Sequence, residues 1–187
     1  MGSATQISKT THGRYTATPR TLIFVTHGDD VLLLRGAAHK GWWAGRLNGV
    51  GGHIEREEDV WSSAQRELRE ETGLEAVADL SLAAIINAAL GDAGNGIMLF
   101  VFTARSLTRE VIESPEGSLD WIPQADLSNY PVINDLRILL PRVLNRSIDA
   151  PPLFAHYWVD EQGELVAQFQ GEPPVRLAFP TTDNITQ

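Results

Sequence analysis

No cysteine occurs among the 187 residues, which excludes disulfides, thiolate zinc sites and any cysteine nucleophile. Basic residues are also scarce: 15 Lys and Arg stand against 24 Asp and Glu, a formal net charge of −9. So acidic a chain has no broad basic footprint for duplex nucleic acid or an anionic membrane surface. A small-molecule partner that arrives with a divalent metal suits it better. No apolar run approaches the roughly 18 residues that span a bilayer, and Met1–Arg20 holds no continuous apolar segment of the signal-peptide kind. The sequence reads as soluble and cytoplasmic, and it carries no signal for oligomeric state.

What remains is sufficient for one domain. With 43% hydrophobic residues, a chain of this length buries one real core and is short for two. The polar, Thr-rich stretch 1–19 has no periodicity and is expected to be an arm outside the fold. Residues 20–170 are expected to form the domain, and 171–187 a Pro-containing tail. Leu22–Val25 and Val31–Leu34 flank the turn Gly28-Asp29-Asp30 and predict a hairpin. After a Gly-rich connection, Val50–Ile54 predicts a short strand leading into a helix at about Glu57–Thr72. Acids at the start of that helix and Gly73 beyond its end suit its dipole and its left-handed stop.

Leu80–Leu90 and Ile97–Thr103 predict a second strand pair, and Ser118–Ile122 a short strand. "NDLRILLPRVL" predicts a short helix kinked or broken at Pro141. "LFAHYWVDEQGELVAQF" predicts a C-terminal hairpin turning at Gln162-Gly163. Strands joined by hairpins, together with two helices, indicate an α+β or α/β sandwich.

The first helix poses a chemical question. Glu67, Glu70 and Glu71 are three or four residues apart or adjacent, so they share one stripe of the helix. Ala64, Leu68 and Trp61 lie next to that stripe and are expected to face the core. Like charges at such spacings cost about 0.2–0.5 kcal/mol per pair, and more when partly desolvated. Arg66, four residues before Glu70, offsets part of this as a charge-assisted partner. One guanidinium does not neutralise three acids, and clustered oxygen ligands without cysteine suit a hard cation of the Mg²⁺ kind. A solvated acidic face is the alternative for an arbitrary helix.

The full spacing favours metal. Gly52, five residues, Glu58, seven residues and then "RELREETGL" (Arg66–Leu74) match all nine fixed positions of the Nudix box, G-x5-E-x7-R-E-U-x-E-E-x-G-U with U aliphatic, and the chain resembles the Nudix hydrolases. The resemblance implies a Nudix-type α/β/α sandwich with a mixed β-sheet. It also implies Mg²⁺, with Mn²⁺ as a substitute, and hydrolysis of a nucleoside diphosphate linked to another group. Carried over by position, Glu67, Glu70 and Glu71 would hold the metal, Arg66 would orient them, and Glu58 would support the loop–helix junction. Gly51 and Gly52 would let backbone approach the phosphates. The general base would be one of these glutamates or one from a later loop, where Glu116 is favoured and Glu113 competes.

Substrate choice rests on a second resemblance. "GWWAGRLNGVGGHIE" is similar to the MutT-like branch, especially the oxidised-purine nucleoside triphosphatases, whose Asn at the place of Asn48 contacts the purine. "NYPVINDL" is similar to a segment forming the base pocket, which points to Tyr130 and to Asn134 or Asp135; Asp135 could equally cap the next helix. The strand "AAIINAAL", with Asn87, departs from that branch because it offers no aromatic for stacking, a role left to Trp42 or Trp43. Segment 75–96 contains neither the Pro typical of ADP-ribose hydrolases nor the Tyr of dinucleoside polyphosphate hydrolases. His27, His39, His53 and His156 are not spaced as a metal set. The expected function is Mg²⁺-dependent cleavage of a nucleoside triphosphate such as 8-oxo-dGTP to a monophosphate and pyrophosphate. Hydrolysis of another nucleoside diphosphate derivative and nucleotide sensing without turnover are the alternatives.

Overall fold

A computed structural model describes residues 14–90, 94–112, 114 and 116–177. Nine strands form one mixed sheet: β1 (Thr16–His27), β2 (Asp30–Gly36), β3 (Leu47–Asn48), β4 (Val77–Ala89), β5 (Asn95–Ser106), β6 (Gly117–Pro123), β7 (Leu153–Val159), β8 (Leu165–Phe169) and β9 (Val175–Leu177). The strand order is β3-β2-β1-β5-β4-β7-β8-β9, with β6 also paired to β2. β1 runs parallel to β5 over Thr16–Thr26, and β4 runs parallel to β7, while the remaining neighbours are antiparallel. Two α-helices, α1 (Val60–Thr72) and α2 (Leu136–Leu144), complete the fold.

Strand alternation decides which helix packs on which face, because successive side chains point to opposite sides of a sheet. Ile23, Val25, Leu32 and Leu34 join Ala64 and Leu68 of α1 in one buried cluster. Leu22, Phe24, Val31 and Leu33 join Leu136, Leu139, Leu140 and Val143 of α2 in the other. The sheet is thus the middle layer of the expected α/β/α sandwich. A central sheet covered on both sides explains why β1 and β2 read as continuous apolar runs instead of alternating ones.

Several boundaries differ from expectation. β1 begins at Thr16, so residues 16–19 of the expected arm belong to the sheet; their partner is β5, a pairing too distant in sequence to show as local periodicity. β9 lies within the expected tail and pairs with β8. Val50–Ile54 forms no strand but makes isolated bridges to β1, Ile23 with Val50 and Arg20 with His53. Helix α1 starts at Val60, not Glu57, because Asp59 is the N-cap: its Oδ1 accepts from the backbone N–H of Trp61 at 2.8 Å and of Ser62 at 3.0 Å. Gly73 ends the helix in the left-handed conformation, at φ 73°. Helix α2 runs through Pro141 without breaking, held by a face buried at Leu136, Leu139, Leu140 and Val143.

The expected C-terminal hairpin forms as β7 and β8, extending the sheet beyond β4. No helix among the described residues is long and apolar enough to cross a membrane.

Candidate active site

The site forms where the strap 47–54 crosses the C-terminal half of α1. Gly51 has φ 137°, and an added Cβ would collide with the Thr21 carbonyl of β1, so no other residue fits there without strain. At this close approach the Gly51 N–H donates to Glu71 Oε2 at 2.7 Å. A Cβ on Gly52 would lie 2.5 Å from Glu67 Oε1. The two glycines therefore let the strap lie directly against two carboxylates of the helix.

Glu67 and Glu71 are four residues apart and both buried, at 9% and 7% exposure. Burial raises the Glu71 carboxyl to about 7; the Gly51 N–H opposes the rise, and the charges of Glu67 and Glu116 add to it. Burial also raises Glu67, against the opposing influence of Arg66. The third acid, Glu70, keeps a side chain 60% exposed. Ala64 and Leu68 face the core as expected, whereas Trp61 is 44% exposed and meets Phe102 edge-on at 5.9 Å. Its place in the first turn, next to the cap, puts it at the rim of the sheet.

Arg66 gathers the acids. Its Nε and Nη2 donate to both oxygens of Glu58, at 3.0 and 2.6 Å, and its Nη1 donates to Glu67 at 2.9 Å and Glu70 at 3.1 Å. A further bond from Nη2 to the His53 carbonyl, at 3.1 Å, ties helix to strap. The forked contact with Arg66 holds the Glu58 carboxyl down to about 2. Glu58 also accepts from the Glu55 N–H at 2.9 Å, fixing the turn before the helix.

Glu116 comes to this site from the turn before β6. It forms an ion pair with Lys40, and its carbonyl accepts from the Ala37 N–H at 3.0 Å. Both charges act on Glu71, Glu116 raising and Lys40 lowering its pKa. Lys40 was not singled out from the sequence; its pairing with a residue 76 positions away leaves no local signal. Glu113 lies outside the described residues.

Of the expected base-contacting residues, Tyr130 and Asp135 belong to the segment leading into α2, and Asn48 follows Leu47, which is bonded to that segment. Leu47 N–H donates to the Pro131 carbonyl and its own carbonyl accepts from Ile133 N–H, both at 3.0 Å. Asn48 is the next residue, paired with Leu34 of β2, and its Oδ1 accepts from the Gly49 N–H at 2.8 Å. Tyr130 is partly buried against the α2 cluster. Asp135 stands at the start of α2 without a side-chain cap bond, and burial pushes its carboxyl up to about 6. Asn87, in contrast, accepts from the Tyr15 hydroxyl at 2.6 Å. Trp43 packs into the core against Gly36, while Trp42 is 58% exposed. Of the histidines, His39 and His53 are exposed, His27 bonds the Ser106 carbonyl at 3.1 Å, and His156 stacks on Trp158 at 4.9 Å.

The donor set fits a hard divalent cation. It consists only of carboxylate oxygens, two of them buried with raised pKa values that a cation would relieve. Among the described residues no three acidic or histidine side chains already form a group able to hold a metal alone. Arg66 bonds Glu67 and Glu70, and Glu71 accepts from Gly51. Mg²⁺ commonly takes only one or two protein carboxylates and completes its shell with water and substrate phosphate.

Comparison with known proteins agrees with this geometry. The family model of the NUDIX domain matches residues 16–143. An uncharacterized Nudix hydrolase of Bacillus subtilis (strain 168), YvcI, is 35% identical over 112 residues, 58% of this chain and 68% of the relative. Among solved structures, the MutT protein of Bacillus halodurans is similar at TM-score 0.68 and 27% identity, covering 83% of this chain and 99% of that one. The NUDIX domain of Shewanella oneidensis NrtR, solved with ADP ribose, shares the fold at TM-score 0.63 and 18% identity, covering 78% and 99% of the two chains. Such proteins act on pyrophosphate bonds and generally use divalent cations. With its box complete and its domain matched over most of the described length, this chain belongs to the Nudix hydrolase family.

Proposed function

We propose that the chain is a Mg²⁺-dependent nucleoside triphosphate pyrophosphohydrolase that releases a nucleoside monophosphate and pyrophosphate, with oxidised purine nucleotides such as 8-oxo-dGTP as its substrate class. The observation that carries this reading is the strap. Within six residues Leu47 is bonded to the segment before α2 at one end, and Gly51 and Gly52 lie against Glu71 and Glu67 at the other.

Glu67, Glu70 and Glu71 would hold the cation, which would neutralise phosphate charge and make a bound water more acidic. Arg66 keeps Glu67 and Glu70 turned toward one another through a single nitrogen. The glycines admit phosphate oxygens to backbone N–H groups without a side chain in the way. Glu116, whose charge acts on Glu71 and which is paired with Lys40, would accept a proton from the attacking water. Asn48 and Asp135 supply an amide and a carboxyl for the edge of a base, and Tyr130 supplies a ring beside them.

Product analysis with Mg²⁺ or Mn²⁺ over ordinary and oxidised nucleoside triphosphates, ADP-ribose and dinucleoside polyphosphates tests the reading. Preferential release of a monophosphate from an oxidised purine triphosphate is the expected result. A second reading, hydrolysis of another nucleoside diphosphate derivative, draws on the fold neighbour solved with ADP ribose. Turnover of ADP-ribose in preference to every triphosphate would establish it instead. Nucleotide binding with no metal-dependent product would indicate a sensor.

A further inference from the structure

Lys40 stands in the connection between β2 and β3. Its ammonium pairs with the Glu116 carboxylate, and its side chain is only 20% exposed. The same Nζ lies 6.0 Å from the centre of the Trp43 ring, within reach of a cation–π contact. That ring is itself fixed, because it packs on Gly36, where a Cβ would collide with it.

The two segments that carry the ion pair are laced together by backbone. Gly36 of β2 faces Gly117 of β6, and a Cβ on Gly117 would collide with the Arg35 carbonyl, so the turn before β6 comes this close only with glycine there. The Ala37 N–H donates to the Glu116 carbonyl at 3.0 Å, and the Lys40 N–H donates to the Ala37 carbonyl at 2.9 Å. On its other side, the Glu116 N–H donates to Ser114 Oγ at 3.1 Å. Just before that, the Ile112 N–H donates to the carbonyl of Thr72, the residue after Glu71, at 3.0 Å. Glu116 is therefore strung between the end of α1 and the loop that carries Lys40.

A carboxylate in this position needs a cation to stay. It approaches a helix end that already carries Glu67, Glu70 and Glu71, and Arg66 is committed to Glu58, Glu67 and Glu70. Repulsion from that row would displace an unpaired carboxylate carried on a turn.

We propose that Lys40 is a positioning residue for Glu116: its ion pair holds that carboxylate beside the end of α1, ready for the proton of the attacking water. This inference rests on the reading above in which Glu116 takes that proton. It gives the loop between β2 and β3 a part in the chemical step, through a charge that touches neither water nor metal.

The test is steady-state kinetics of the full chain with Mg²⁺ on the nucleotide it hydrolyses fastest, for Lys40→Met, Lys40→Arg, Glu116→Gln and the double variant of Lys40→Met with Glu116→Gln, together with thermal unfolding. Lys40→Met should lower kcat about 10- to 100-fold, part of the roughly 10²–10⁴ that a positioned base supplies. KM should stay within about twofold, and Tm should move by only a few degrees, since a partly exposed ion pair contributes little. Lys40→Arg keeps the charge and should recover most of the rate. The double variant should match Glu116→Gln, because Lys40 acts through Glu116. An unchanged kcat in Lys40→Met, a raised KM alone, failure of Lys40→Arg to recover the rate, or additive losses in the double variant would each overturn the inference while sparing the role of Glu116. A rate near that of the wild type in Glu116→Gln would remove that role, and the inference with it.

Discussion

Replacing Glu71 by glutamine should make the metal-free protein more stable while removing its turnover. The magnitude follows from the environment of the carboxyl. Burial, with the negative charges of Glu67 and Glu116, raises its pKa from 4.5 to about 7 despite the Gly51 N–H. In the folded state the group binds its proton more tightly than in the unfolded state, so the fold gains from it only while it is protonated. Stability is therefore highest below about 4.5, falls as pH rises toward 7, and is fully penalised above that. A displacement of this size corresponds to about 3 kcal/mol at pH 8. Glutamine keeps an oxygen for the Gly51 N–H and carries no charge, so most of the penalty disappears. For a protein of this length the gain should appear as a Tm increase of about 5–10 °C at pH 8 in chelator. At pH 4.5 the difference should vanish. Added Mg²⁺ should raise the Tm of the wild type more than that of the variant, because binding to the folded state alone stabilises it. Differential scanning calorimetry at several pH values, with and without Mg²⁺, measures all of this. A variant with lower Tm than the wild type at pH 8 would show that Glu71 is not a strained carboxylate, and near-normal turnover in it would remove the proposed metal role.

Other substitutions test neighbouring parts of the site. Arg66→Ala leaves Glu58, Glu67 and Glu70 without their shared partner and should lower stability in denaturant unfolding, through the buried Glu67 more than through the exposed Glu70. Gly51→Ala meets both the positive φ and the Thr21 carbonyl; kcat/KM should fall on the order of 100-fold, with a smaller change in Tm, as the strap lifts off Glu71. Glu116→Gln should lower kcat on the order of 100-fold with little change in KM if Glu116 takes the proton. A rate near that of the wild type would transfer the task to the α1 glutamates.

The parts of the molecule that sequence reading captured are those whose information is local. Nine spaced positions between Gly52 and Leu74 identify the box, and the apolar runs Leu22–Val25 and Val31–Leu34 either side of Gly28-Asp29-Asp30 assign a hairpin without any partner in view. The helix start was misplaced by three residues because Glu57, Glu58 and Asp59 look alike to the helix dipole, and only the cap geometry of Asp59 separates them. What could not be read is long-range pairing. Thr16–Pro19 looks like an arm until β5 lies alongside it, and Lys40 is an unremarkable loop lysine until the fold brings it to Glu116.

The strap ties together two helices that lie on opposite faces of the sheet, as the proposed substrate site requires. Helix α1 carries the acids and α2 begins with Asp135, and the two pack into separate core clusters. Leu47 is bonded to the segment before α2, and Gly51 is bonded to Glu71 of α1. Only three residues lie between these anchors, four steps of chain with a reach of roughly 14 Å at most even when extended. Under the proposed reading the base end and the phosphate end would both be fixed to this short, doubly tethered piece of backbone. A site so built would favour a compact mononucleotide, whose base and phosphates must be engaged together, over a long dinucleotide that could satisfy one end alone. Lengthening the strap by one glycine after Asn48 should accordingly raise KM for a nucleoside triphosphate and lower kcat together, because neither end can then be positioned relative to the other.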